Sequence, residues 1–413
     1  MHLMAKPTGP ACNLDCEYCF YTEKVVLFPD SKTVRMPDAI LESYVKEYIA
    51  FQPASEILFT WQGGEPTLAG LDFFRKAVRL QKKYAAGKRV SNALQTNGTL
   101  LDDDWCRFLK ANDFLVGISL DGPEHIHDLY RVDRKGGPTF GKVMKGLSLL
   151  QKHQVEYNVL SSVTKEASEA ALEVYRFLKK SGVQFIQFIP IVERNPDEGA
   201  RALGLRHGMP PDANRQVSRS LDITPWSVEP LSYGDFLVQI FDEWIRNDVG
   251  ATFVMNFEWS LASWLGLPAT ICIFSKACGD SLVMERNGDI YSCDHYVYPQ
   301  YRLGNIAESP LSTMAESAAQ REFGAAKELA LPSVCKNCDV RFACNGGCPK
   351  HRFMRSVNGE PGLNYLCEGY KKYFSHIHRY MKVMRQLIES DLPPAKVMDV
   401  AKGAILSVEL PEQ

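Results

Sequence analysis

Three groups of cysteine carry most of the reactive chemistry in this 413-residue sequence. Cys12, Cys16 and Cys19 fall in one short stretch; Cys272, Cys278 and Cys293 follow much later; Cys335, Cys338, Cys344 and Cys348 form a run that ends in Cys-Pro. Of the 12 cysteines, only Cys106 and Cys367 stand outside these groups. In a large chain, clustered cysteines bind metal or do redox chemistry more often than they form disulfides. A cubane iron–sulfur cluster normally takes four cysteines, so three would leave one iron free to bind something else. The alternative is structural zinc or buried thiols, although the nearest histidine, His2, lies off any zinc-finger spacing. Cys106, inside the helical pattern DDDWCRFL, reads as a buried structural thiol.

Composition narrows the classes around that chemistry. Hydrophobic residues make up 45% and charged residues 23%, which argues against disorder or a fibre. Lys+Arg 47 against Asp+Glu 49 gives −2, so no basic surplus points to nucleic acid or an anionic membrane. No apolar run reaches the ~18 residues of a membrane span, and the opening Met-His-Leu-Met-Ala-Lys-Pro lacks a signal pattern. A cytoplasmic protein of two or three domains is expected, at roughly 150 residues per domain.

The elements that must position the cysteines alternate. Strand patterns at 2–6, 56–62, 89–96, 114–120, 156–163 and 184–191 are separated by helical patterns at 38–51, 70–84, 102–111, 140–153 and 167–181. Strand–helix–strand repeats imply right-handed crossovers and a parallel sheet. The fold class is therefore α/β, a partial (β/α)6 TIM-type barrel followed by a small cysteine-rich iron–sulfur domain and a C-terminal helix. The expected divisions are 1–230 for the barrel, 231–266 for a helical linker, 267–370 for the cysteine-rich domain and 371–413 for the closing helix and tail. Residues 195–225 read as an insertion. Polar or glycine-rich loops follow the first four strands: CNLDCEYC, GGEPT, NGT and DGP. Each alone is an ordinary turn. Together they suggest a site at the strand ends, where parallel α/β folds place their chemistry. Asn97-Gly98-Thr99 is formally a glycosylation sequon, a false positive in a cytoplasmic protein.

CNLDCEYC resembles the signature of radical S-adenosylmethionine enzymes, with Tyr18 where that family often has an aromatic. Gly63-Gly64-Glu65-Pro66 resembles the family's motif for the methionine amino group, where glycine lets backbone approach the ligand. Cys335-x2-Cys338-x5-Cys344-x3-Cys348-Pro349 resembles the bacterial ferredoxin run, in which the fourth cysteine serves the other cluster. That resemblance implies one set of Cys335, Cys338, Cys344 and Cys367, and another of Cys272, Cys278, Cys293 and Cys348. Two zinc sites of four thiolates are the alternative. The region resembles the SPASM extension with two auxiliary clusters. The chain as a whole resembles the anaerobic sulfatase-maturating enzymes, through TWQGGEPTLAG, LQTNGTLLDD, FLVGISLDGP, QFIQFIP, CDHYVYPQYRLGN, CNGGCPKHR and LNYLC.

This resemblance implies three [4Fe–4S] clusters, S-adenosylmethionine, and oxidation of a Cys or Ser in a sulfatase's Cys/Ser-x-Pro/Ala-x-Arg motif to Cα-formylglycine. A 5′-deoxyadenosyl radical would take a Cβ hydrogen, a base the thiol or hydroxyl proton, and the auxiliary clusters the surplus electron. A flavodoxin or ferredoxin is the implied electron donor. Asp294 matches the family's general base; its bland alternative is a solvated turn residue. Ser119 and Arg131 match positions that contact S-adenosylmethionine, though Arg131 could instead form a surface ion pair with Asp128 or Asp133. Tyr21 and Gln62 match positions that face the peptide. The competing enzyme is a SPASM-type maturase of another peptide or protein, against which only 11 residues before Cys12 count. A zinc-stabilised binding protein is the non-enzyme alternative. The sequence leaves the choice between Cys and Ser open.

Overall fold

The computed structural model describes residues 1–28, 34–211 and 222–403. All six expected strands form: β1 (His2–Ala5), β2 (Glu56–Trp61), β3 (Arg89–Thr96), β4 (Phe114–Ser119), β5 (Tyr157–Val163) and β6 (Phe185–Pro190). They pair in parallel and in chain order. Parallel neighbours need long crossovers, and helices supply them. The first four expected helices are Asp38–Phe51, Leu71–Tyr84, Asp103–Ala111 and Phe140–Lys152. The fifth is two helices, Lys165–Glu169 and Ala171–Lys180, and it ends before Gly182 at φ +77°. A short helix over Glu124–Tyr130 was not expected from the sequence. Its seven residues hold too few apolar positions for a clear period.

Alternation along the strands sorts the two faces. In β2, Ile57, Phe59 and Trp61 are buried, and the rings of Phe59 and Trp61 pack on Tyr44, Tyr48, Phe73 and Phe74 from the two flanking helices. Leu58 and Leu115 point the other way and are each 44% exposed. One face of the sheet is thus the core, while the other lines an accessible interior. The barrel is partial: β1 to β6 lie in sequential order within an open sheet, not a closed ring.

The chain after β6 adds strands to this same sheet. β7 (Phe253–Val254) extends it beyond β6. On the opposite side β8 (Ser281–Met284) pairs in parallel with β1, and β9 (Asp289–Tyr291) and β10 (Arg302–Asn305) continue antiparallel. Pairing β8 with β1 carries Cys293 and Asp294 toward the loop that holds Cys12. The helix Pro230–Asn247 packs on the closing helix Cys367–Glu389 through two glycines. A Cβ on Gly369 would stand 1.9 Å from Pro230 O, so these backbones touch. Within the expected insertion, Asp197 caps a short helix over Glu198–Ala202; residues 212–221 and the tail 404–413 lie outside the described residues. Among the described residues, no helix is long and apolar enough to cross a membrane.

Candidate active site

The loop after β1 is held from several sides. Gly64 N–H donates to Gly9 O at 2.8 Å and Glu65 N–H to Ala11 O at 2.8 Å, seating the Gly-Gly turn on the backbone just before Cys12. A Cβ on Gly64 would meet Ala11 O at 2.2 Å. Glycine is therefore required here by contact between two loops, a reason the sequence did not disclose. The Glu65 carboxylate turns inward and accepts from Thr67 N and Oγ1, Thr96 Oγ1 and Asn97 N at 2.7–3.0 Å. Burial raises its carboxyl despite these bonds. It laces the loops after β2 and β3 together. Asn97, buried, donates from Nδ2 to Asn13 Oδ1 at 2.9 Å beside Cys12.

Tyr18 and Arg131 meet at a residue the sequence showed only as part of a turn. Tyr18 donates its hydroxyl to Asp121, and Arg131 Nε donates to the same Asp121 oxygen at 2.8 Å. The second oxygen of Asp121 accepts from Ser162 N at 2.9 Å. Arg131 is 9% exposed, so it forms a buried pair with Asp121 rather than a surface pair with Asp128 or Asp133. Burial alone would raise the Asp121 carboxyl, but the Arg131 guanidinium holds it below its ordinary value. Ser119, on the interior face of β4, accepts from Gln95 Nε2 at 3.2 Å.

All 12 cysteines are free thiols. Cys12 and Cys19 both act electrostatically on Cys16. Cys348 acts on Cys272, Cys278 and Cys293, and raises each of those thiols. Cys335, Cys338 and Cys367 act likewise on Cys344. Cys348 thus neighbours Cys272, Cys278 and Cys293, and Cys344 neighbours Cys335, Cys338 and Cys367. Burial pushes Cys12, Cys16 and Cys344 up to about 12. A free thiolate is disfavoured at these positions, and a metal must displace the proton to bind. Among the described residues, no group of three or more His, Cys, Asp or Glu is arranged to hold a metal ion. Cys106 is fully buried, as expected.

Asp294 faces the same interior from the other side. Lys6, at the end of β1 and 1% exposed, donates to Asp294 Oδ1. Burial would raise the Asp294 carboxyl, but Lys6, His295 and Lys350 hold it below the usual carboxylate value. Lys6 Nζ also lies 3.1 Å from the centroid of the Tyr21 ring, and Tyr21 donates its hydroxyl to the buried Glu285. Gln62, directly after β2, is half-buried and bonds through its N–H to Ala5 O at 3.0 Å. Lys350 donates to Glu193 and stands 4.3 Å from the Phe20 ring centroid. The His295 Nδ1 atom lies 3.7 Å from Cys348 Sγ.

Residues 7–178 match the Radical SAM superfamily, and residues 272–339 match SPASM, an iron–sulfur cluster-binding domain. The serine-type anaerobic sulfatase-maturating enzyme of Bacteroides thetaiotaomicron is 45% identical over 411 residues, covering 99% of this chain and 97% of that protein. This chain belongs to the anaerobic sulfatase-maturating enzymes. The cysteine-type enzyme of Clostridium perfringens is 34% identical over 383 residues, 91% of this chain and 96% of that one. The structure of native anSMEcpe with bound AdoMet and Cp18Cys peptide superposes with a TM-score of 0.80 at 33% identity, covering 94% of this chain and 99% of that chain.

This sulfatase-maturating enzyme therefore has the radical-enzyme fold that its first cysteine loop implied. What sequence reasoning missed is the set of buried charges around Asp294. Lys6, Glu285, Glu193 and Lys350 come from four separate segments, and no local pattern marks them. Only Asp121 had a visible signal, in the Asp-Gly-Pro turn after β4.

Proposed function

We propose that this enzyme oxidises a serine, within the Cys/Ser-x-Pro/Ala-x-Arg motif of a sulfatase, to Cα-formylglycine. Serine is favoured over cysteine because the serine-type relative is the more similar, at 45% against 34% identity. The observation that carries the reading is Asp294 standing ionised at the mouth of the barrel whose first loop holds three thiols.

Cys12, Cys16 and Cys19 would hold one [4Fe–4S] cluster; Cys272, Cys278, Cys293 and Cys348 a second; Cys335, Cys338, Cys344 and Cys367 a third. The gathering of the eight C-terminal thiols in fours supports this count of three. Gly63, Gly64, Ser119 and Arg131 would hold S-adenosylmethionine, with Tyr18 and Glu65 fixing the loops around it. Bound there, these groups would supply the chemistry for removing a Cβ hydrogen atom and a sink for the electron left behind.

The chain's own residues do the rest. Asp294 accepts the hydroxyl proton, and a carboxylate held ionised by Lys6 is in the right state to do so. Tyr21 and Gln62 line the approach of the peptide. Residues 1–230 form the catalytic unit, 231–266 the helical link, 267–370 the auxiliary unit and 371–413 the closing segment. A flavodoxin- or ferredoxin-type donor in the cytoplasm would supply the reducing electron.

Mass spectrometry of an anaerobic reaction tests this. Reconstituted enzyme, S-adenosylmethionine, a reductant and paired Ser and Cys peptides should give the formylglycine mass, with Ser preferred. Asp294→Asn should abolish it while 5′-deoxyadenosine still forms. Wild-type enzyme that makes 5′-deoxyadenosine and leaves both peptides untouched would defeat the formylglycine reading.

A further inference from the structure

The helix Ala318–Leu329 holds three cysteine-bearing segments on one face, through Gln320, Gly324 and Lys327. Gln320 Nε2 donates to Gly279 O at 2.9 Å and to Ser292 O at 3.3 Å, the neighbours of Cys278 and Cys293. Gly324 O accepts from Cys278 N at 3.1 Å. Lys327 Nζ donates to Cys272 O at 2.6 Å and to Ile273 O at 3.0 Å. Arg352 extends this scaffold into the loop Cys344–Cys348. Its guanidinium donates to Lys327 O, to Asn345 O at 2.8 Å, to Gly346 O at 2.9 Å and to Gly347 O at 3.2 Å. Asn345 follows Cys344 and Gly347 precedes Cys348, so one side chain grips both ends of that loop.

Both cations are buried, Lys327 at 1% exposure and Arg352 at 5%. Their bonds end on backbone carbonyls, and neither pairs with a carboxylate among the described residues. Neighbouring cations differ: Lys350 pairs with Glu193, and Arg341 with Glu328. Burial lowers Lys327 and Arg352, and what pulls them back up is thiols. Those around Lys327 are Cys272, Cys278 and Cys348; those around Arg352 are Cys278, Cys335, Cys344 and Cys348. A buried charge without a counter-charge is costly. A cubane on four thiolates is negatively charged, so clusters in these places would supply what the two cations lack.

We propose that Lys327 and Arg352 raise the reduction potentials of the auxiliary clusters. Lys327 acts on the cluster of Cys272, Cys278, Cys293 and Cys348, and Arg352 acts on both. This rests on the reading of the eight C-terminal thiols as two [4Fe–4S] sites. An electron added to a cluster increases its negative charge by one, and fixed positive charge nearby stabilises that reduced form over the oxidised one. Neither side chain reacts. Both are positioning residues that hold charge against the ligand backbone, and the raised potential suits clusters that accept an electron.

Anaerobic redox titration of the reconstituted full chain, following the paramagnetic resonance signal of each reduced cluster, tests this. Lys327→Gln keeps a donor for Cys272 O but removes the charge. At fixed potential it should shift the ratio of oxidised to reduced cluster at Cys272, Cys278, Cys293 and Cys348 about tenfold toward oxidised, a midpoint about 59 mV lower. Lys327→Arg should stay close to wild type. Arg352→Gln should shift both auxiliary clusters in the same direction, and Arg352→Lys should keep most of the wild-type values. The cluster at Cys12, Cys16 and Cys19 should not move in any variant. Unmoved midpoints in Gln variants that hold full iron would overturn the proposal. Equal shifts in the neutral and the charged variants would also overturn it, because packing and not charge would then be the cause. Where one Gln variant loses iron, the pair of variants at the other residue decides by the same outcomes. Iron and sulfide analysis of wild type separates the proposal from the reading beneath it. About 4 irons per chain, or zinc at the C-terminal thiols, would defeat the auxiliary clusters and the proposal with them. Full iron in wild type with unshifted Gln variants would defeat the proposal alone.

Discussion

Lys6 and Asp294 form a part-buried ion pair across 288 residues of sequence, joining the end of β1 to the residue after Cys293. The pairing of β8 with β1 makes it possible, because it brings the cysteine-rich segment alongside the barrel's first strand. Two segments far apart in the chain, the cysteine loop after β1 and the Cys293–Asp294 segment after β9, are thereby carried on one sheet with only β8 between their strands.

Lys6→Met should separate what those segments do. It leaves the Asp294 carboxylate, 21% exposed, without its cation, and leaving such a part-buried charge unpaired costs about 1–3 kcal/mol. The urea midpoint should fall accordingly. Peptide conversion should be lost while 5′-deoxyadenosine persists, because Lys6 touches Asp294 and Tyr21 and none of the first three thiols. Normal conversion in a variant with an unchanged midpoint would contradict this account of Asp294.

The thiol sets give a second expectation. Cys348→Ala and Cys344→Ala alter positions four apart in sequence, yet each should disable a different cluster. With three clusters of four irons, each variant should retain about 8 of ~12 irons per chain. Loss of the ligand beside Cys293 should change the spectrum of one auxiliary cluster, and loss of Cys344 that of the other. Iron and sulfide analysis with anaerobic spectroscopy of the single and double variants checks this. A double variant with no further iron loss would show that both cysteines serve the same cluster.

Much of this arrangement was legible because it is local. Most of the six parallel strands are short runs rich in Val, Ile, Phe or Leu, and polar loops could be seen after the first four. The ferredoxin-like run implies a division of the eight C-terminal thiols into fours. Long-range charge pairing was not legible. Tyr18 and Arg131 were each singled out, but Asp121, which joins them, lies 103 and 10 residues away in the chain. Lys6 reads as an ordinary residue before Pro7, and only the contact with Asp294 gives it meaning. Gly64 was seen as a glycine that a ligand requires, whereas the fold shows a neighbouring backbone that already excludes a side chain.

That backbone contact makes Gly64→Ala informative. The added Cβ would stand 2.2 Å from Ala11 O, and backbone on both sides must move to admit it. The displaced segment leads directly into Cys12. Iron at the first cluster and cleavage of S-adenosylmethionine should both fall sharply, and overpacking of this kind costs about 1–3 kcal/mol in stability. Gly141→Ala is the control: it lies in the helix Phe140–Lys152 with nothing within 4 Å of the added Cβ. There alanine should be neutral or stabilise by up to about 1 kcal/mol. Equal behaviour of the two variants would remove the case for close packing at Gly64.

His127 links this region to pH. It is fully buried, its Nδ1 accepts from Asp121 N at 3.3 Å, and its Nε2 lies 3.2 Å from Thr139 Oγ1. Burial lowers it from 6.5 to about 4, so the folded state holds the ring neutral where the unfolded chain would protonate it. Between pH 6.5 and about 4 the unfolded state therefore binds more protons, and stability must rise with pH through that window. From these two values, lowering the pH from 7.5 to 5 should remove about 2 kcal/mol through this residue. His127→Asn keeps a polar side chain but cannot titrate. Its urea midpoint should be lower than that of wild type at pH 7.5 and should change less between pH 7.5 and 5. Parallel pH profiles for the two proteins would show that His127 is not the group responsible.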